Sequence, residues 1–141
     1  MRAYIIGSVI LASVLLVGGT ATAHHSFSAE FDRNKPLTLT GVVTKVDWTN
    51  PHVWFYVNVK DKETGKVTNW GAEMGPPHGL QRQGWRRDTL KVGEEVTIKG
   101  SAAKNGTNRM NASSVVLTST GGAPRELDAA SSGGNGENAV K

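Results

Sequence analysis

The sequence has no cysteine. Disulfides and thiolate metal sites are therefore excluded, and the fold has to be held by packing and backbone pairing. Charge of one sign is also lacking, because basic and acidic residues are interspersed along the chain. A weak net charge of this kind suits solubility and gives no stripe for nucleic acid. After residue 17 there is no apolar run long enough to span a bilayer, which needs about 20 residues. Internal repeats of useful length are absent as well.

The first residues are different in character. Arg2 precedes an apolar stretch from Tyr4 to Val17, and the small and polar run Gly18-Gly19-Thr20-Ala21-Thr22-Ala23 follows. This is the order of a secretory signal, with Ala21-Thr22-Ala23 offering the small residues that signal peptidase accepts. The sequence predicts cleavage after Ala23, a mature chain starting at His24, and a periplasmic location with no membrane span left after cleavage. Removing residues 1–23 leaves 141 − 23 = 118 residues, enough for one core and too few for two domains. The mature charge is 15 Lys+Arg (16 less Arg2) against 12 Asp+Glu, or +3.

Residues 24–35 hold only Phe27 and Phe31 as large apolar residues, and read as an N-terminal arm. From 121 to 141 the chain is rich in Gly, Ser and Ala and reads as a disordered tail, since it buries too little to offset its ordering entropy. Between them, residues 36–120 show a period of two. A long first strand runs from Leu37 to about Trp48, with Gly41 placed to let it bend. Thr49-Asn50-Pro51 makes a turn. The second strand, His52 to Lys60, puts Val53, Phe55, Val57 and Val59 on the core face and His52, Trp54, Tyr56 and Asn58 on the other. A third strand covers Val67 to Met74. A short helix spans Pro77 to Gln83, with Pro at its start and Gly84 just past its end. Strands four (Glu95 to Lys99) and five (about Met110 to Thr118) follow. Three strands, one short helix and two strands give an all-β fold, a small OB-like five-stranded barrel; a β-sandwich or roll is the structural alternative.

Four histidines remain in the mature chain. Cleavage before His24 would place a free α-amino group and an imidazole on one residue, and the two nitrogens can close a chelate ring around a metal. Copper(II) favours nitrogen donors of this kind. His25 adjoins it, and His52 lies in the loop between strands one and two, so His24, His25 and His52 are the expected metal ligands and copper the expected ion. His78, beside two prolines, is expected to hold the helix entry. Trp54 and Tyr56 point away from the core and need either a cover or a ligand. Phe27 and Phe31 of the arm are the expected covers. The alternative is a stacking platform, with Lys104 and Arg109 holding phosphate; nucleic acid is not the expected partner. Arg82, Arg86 and Arg87 read as a solvated surface. No spacing links a nucleophile to a base, so the protein is not expected to be an enzyme. A non-catalytic structural or interaction module contacting a partner protein or envelope polymer is the competing reading.

His24-His25-Ser26-Phe27, Trp48-Thr49-Asn50-Pro51-His52, Trp70-Gly71-Ala72-Glu73-Met74-Gly75, and Gly79-Leu80 with Arg82, Gly84-Trp85 and Leu90 together resemble a family of small exported bacterial proteins of unknown function. The match covers almost all of the mature domain and omits the tail. What the resemblance implies is a Gram-negative periplasmic protein with a compact β-barrel-like domain. It brings no activity, substrate or ligand.

Overall fold

A computed structural model describes residues 27–118 and 123–130. The expected signal segment and the histidine pair 24–25 lie outside the described residues. The chain is mostly antiparallel β-sheet. A one-turn helix α1 (Phe27–Glu30) runs directly into β1 (Phe31–Asp47), followed by β2 (Trp54–Lys60), β3 (Val67–Glu73), helix α2 (Pro77–Arg82), β4 (Glu95–Ala103), β5 (Arg109–Leu117) and β6 (Arg125–Asp128). Their order in the sheet is β3-β2-β1-β4-β5-β6, and β3 also pairs in parallel with β5 through Gly71↔Arg109, Ala72↔Met110 and Glu73↔Asn111. Among the described residues no helix is long and apolar enough to cross a membrane.

The 17-residue β1 serves two partners. Its first part, Phe31 to Val42, pairs with β4, and its second, Val42 to Asp47, pairs with β2. The changeover falls beside Gly41, where an added Cβ would stand 2.7 Å from the carbonyl oxygen of Asn58. Glycine is what lets the β2 backbone come so near. The extra residue of the β1–β2 ladder lies a little later, between Val43 and Lys45.

Alternation explains the core. Val53, Phe55 and Val57 are buried from the second strand segment, Ala72 and Met74 from the third, and Val96, Ile98, Met110, Ala112 and Val115 from β4 and β5. Trp48 and Trp85 are buried among them, and Trp70 packs partly buried against them. Helix α2 begins on Pro77, as its missing N–H allows, and ends before Gly84 at φ 93°, a left-handed position that favours glycine.

Strand β2 starts at Trp54 instead of His52 and β4 runs to Ala103 instead of Lys99, and two further differences from the sequence reading are larger. Strand β1 begins at Phe31 instead of about Leu37, so residues 31–35 of the expected arm belong to the sheet. Phe31 is buried, pairs with Ala103 and packs against Phe27 at 5.8 Å between ring centres. The second difference is β6, a sixth strand inside the segment expected to be disordered. Arg125–Asp128 pairs with β5, Leu127 and Ala129 are buried, and the Trp85 indole donates to the Asp128 carbonyl at 2.6 Å. Composition underrated this segment because two side chains and a row of backbone bonds suffice to hold four residues along a ready strand edge.

Candidate functional site

The register of β2 on β3 sets out the face that is not core. Trp54 lies opposite Glu73, Tyr56 opposite Gly71 and Asn58 opposite Asn69. Paired residues share a face, so Trp54, Tyr56, Gly71 and Glu73 lie together on the outer side. The β3–β5 pairing then brings Arg109 beside Gly71.

Glu73 is the one charged residue that is buried among the described residues. Its backbone is held on both sides, by Trp54 of β2 and Asn111 of β5. A carboxyl in such a place needs a hydrogen-bond partner, and Nδ1 of His52 is that partner. The His52 side chain is 37% exposed against 9% for Glu73, so the pair runs from the sheet interior to solvent. Burial pushes the Glu73 carboxyl above its ordinary range, while the neighbouring His52 and Arg109 pull it down and Glu30 pushes it up. Glu30 ends α1, which places that helix within electrostatic reach of the His52–Glu73 pair.

The loop before β2 fixes His52. Trp48 is buried, the Asn50–Pro51 peptide is cis, and Val53 exchanges backbone hydrogen bonds with Gly75 and Met74 at 3.2 and 2.8 Å. The histidine is thus held between a turn and a two-sided backbone clamp.

Trp54 and Tyr56 are half-buried, but their covers are not the expected phenylalanines. The Arg109 guanidinium lies 4.4 Å from the Trp54 ring centre and Lys45 Nζ lies 5.5 Å from that of Tyr56. Both rings also crowd Gly71, where a Cβ would stand 3.3 Å from Tyr56 and 3.6 Å from Trp54. Phe27 and Phe31 pack on one another instead, because β1 continues from α1 and carries Phe31 to Ala103 of β4. Nor are Lys104 and Arg109 set up as a phosphate clamp. Lys104 donates its backbone N–H to Glu30 and its Nζ to the Ser28 carbonyl at 2.9 and 2.5 Å, so the β4–β5 loop grips α1.

Of the expected metal ligands, His52 is at the rim of this face, and His24 and His25 lie outside the described residues. Among the described residues no group of three or more His, Asp or Glu side chains is placed to hold a metal ion. His78 and Arg82 are exposed on α2, and Arg86 and Arg87 are exposed in the segment after it. Sequence reasoning missed the pairing of His52 with Glu73. The signal was present: once the hairpin sets Trp54 against Glu73, a residue two before Trp54 is the diagonal neighbour on the same face.

A family model described as "Family of unknown function (DUF6152)" matches residues 11–112. Comparison with curated proteins gives no match. The chain belongs to that family of unknown function.

Proposed function

We propose that this member of the DUF6152 family is an exported, non-catalytic binding module that takes up a transition metal ion, copper(II) before zinc(II), through the α-amino group and ring of His24 together with His25 and His52. Its architecture in this reading is OB-like. The support is that five strands each have two neighbours, in the circuit β1-β2-β3-β5-β4 and back to β1, with β6 added outside.

The observation that carries the metal reading is the seating of α1. Lys104 holds Glu30 and Ser28, and the Glu30 charge acts on Glu73, the residue bonded to His52. His24 precedes Phe27 by three residues. Three extended residues and one helical turn together reach about 15 Å, so the covalent tether keeps His24 and His25 within that radius of Glu30. Cleavage after Ala23 would supply the amine. A protein purified with its amino terminus verified at His24 is expected to bind one Cu(II), by native mass spectrometry and by electron paramagnetic resonance with several nitrogen donors. One residue added before His24 should abolish that binding or weaken it sharply. Equal binding by both forms would overturn the reading.

A second reading is favoured by β6. It ends the sheet order, so its outer edge has no strand partner among the described residues. A partner protein could add a strand there. Stability unaffected by metal, with a partner that co-purifies and is lost on placing proline in β6, would support this alternative.

A further inference from the structure

We propose that the outer face of β2 and β3 is a binding site for an acidic sugar chain, in which Tyr56 and Trp54 stack on sugar rings while Lys45 and Arg109 take the carboxylates of uronic acid units. The site does not depend on the metal reading.

The strand register lays this face out. Lys45 lies opposite Tyr56, Tyr56 opposite Gly71 and Gly71 opposite Arg109, so one row across β1, β2, β3 and β5 reads cation, ring, glycine, cation. Paired residues project to the same side. Asp47, Trp54, Glu73 and Asn111 form the next row by the same pairings. On the other side Asn58 lies opposite Asn69, whose amide donates to Asn58 Oδ1 at 2.9 Å and to Thr44 Oγ1 at 3.2 Å. The backbones of Lys45 and Arg109 are three strand spacings apart, about 14 Å, which suits several linked units better than one.

Gly71 keeps the middle of the row flat. A Cβ there would stand 3.3 Å from Tyr56 and 3.6 Å from Trp54, so both rings lie close over the bare backbone between them. Half-buried aromatic rings side by side on an outer sheet face form a platform for the apolar side of another ring. The cations resting on them are loosely held. Lys45 and Arg109 are both exposed, and among the described residues Arg109 meets the Trp54 ring and no carboxylate at ion-pair distance. A cation–π contact at an exposed position is weaker than a charge-assisted, two-pronged bond from a guanidinium to a carboxylate. A uronate therefore draws Arg109 off Trp54 and frees that ring for the adjoining sugar.

The groups beside the cations select the class of ligand. Sugar hydroxyls donate to the Asp47 carboxylate and exchange hydrogen bonds with Asn58 and Asn69. A single-stranded nucleic acid would instead bring a phosphate at every step towards Asp47 and Glu73. The net charge of +4 is also weak for a nucleic-acid surface.

The test is titration of the purified protein with a trimer of galacturonate, followed by proton–nitrogen NMR. The signals of the Trp54 indole and of the Tyr56 and Arg109 amides should move together, while the buried Trp85 indole stays in place. Tyr56→Leu should weaken binding roughly 2–10-fold, and Arg109→Gln roughly 10-fold or more. The uncharged galactose trimer should bind far less tightly. Absence of shifts at Trp54 and Tyr56 with millimolar galacturonate trimer overturns the proposal, as does equal affinity for the neutral trimer or undiminished affinity in both variants. Tighter binding of oligothymidylate to the same residues would also overturn it and assign the face to nucleic acid. The shift mapping uses the unsubstituted protein, so a variant that misfolds does not block it.

Discussion

The Trp85 indole Nε1 donates a 2.6 Å hydrogen bond to the carbonyl of Asp128, joining the segment after α2 to the last strand across 43 residues. Next to it, Gly75 donates to the Ala129 carbonyl and Ala129 donates to that of Ser113, each at 2.9 Å. Trp85→Phe keeps an aromatic body and removes the donor. The expected loss is about 0.5–1.5 kcal/mol of unfolding free energy, the net worth of a typical hydrogen bond, since the Asp128 end of the bond lies near solvent. Urea titration measures it, and hydrogen exchange at Ala129 should quicken before exchange in β1 or β4.

A chain ending at residue 122 tests the same strap without altering Trp85. It loses Leu127 and Ala129 from the core and uncovers one edge of β5. Burying a leucine is worth about 1.5–3 kcal/mol, so the truncated protein should unfold at lower urea concentration. An unchanged midpoint would mean that this segment adds nothing to the fold.

Gly100→Ala should be among the more damaging single-methyl changes. The added Cβ would stand 2.0 Å from the Asn111 carbonyl oxygen, a backbone atom, at the irregularity of the β4–β5 ladder. Overpacking of this kind costs about 1–3 kcal/mol. Gly106→Ala makes a useful contrast, since its Cβ meets no atom within 4 Å and only its φ of 74° opposes the change. Thermal unfolding should rank Gly100→Ala well below Gly106→Ala.

Acid should loosen β6 before the rest of the sheet. The Glu126 carboxyl is held below its ordinary value by the Ser114 hydroxyl, then by Lys99, which donate to it at 2.7 and 3.1 Å. A carboxyl lowered by folding contributes stability that is present above its unfolded pKa of about 4.5 and is lost as pH falls through the folded value. Glu126→Gln should remove that part of the pH dependence. The measurement is exchange protection of the β6 amides in both proteins from pH 6 down to pH 3.

Arg109→Gln separates the cation from the face it covers. The Trp54 ring loses a contact worth about 0.5–1 kcal/mol at an exposed site. Glu73 loses a charge that pulls its carboxyl down, so its pKa should rise further. Carbon-13 NMR of the Glu73 carboxyl reads that shift, and the fluorescence of Trp54 reports the uncovered ring.

Period-two patterning made the β character and the five inner strands legible in the sequence, and Pro77 with Gly84 made the helix legible, because each depends on neighbours a few residues apart. Val53, Phe55 and Val57 alternate with His52, Trp54 and Tyr56 as the faces require. The start of β1 was not legible. Residues 32–35 are all polar, and they continue the strand because β4 supplies partners for Phe31 and Pro36 on either side of them. Strand β6 escaped for the same reason, its order being set by Trp85 and β5 more than by its own composition. At the candidate site the outer position of His52 could be read directly. Its partner could not, since Glu73 meets it only after a hairpin register is fixed, and the cover on Trp54 comes from Arg109, 55 residues further on (109 − 54).

The parallel run of β3 beside β5 has a kinetic consequence. Residues 71–73 wait for 109–111 to arrive, and β1 can be flanked on both sides only when β2 and β4 are both present. The β1-β2-β3 meander needs only neighbouring strands, whereas the circuit through β4 and β5 cannot close until residues 95–111 are present. Two of the six pairings, β1 with β4 and β3 with β5, join strands that are not neighbours in sequence, and such pairings slow folding relative to local ones. A growing polypeptide of this sequence could complete the circuit only once residues 109–111 had come to lie beside β3.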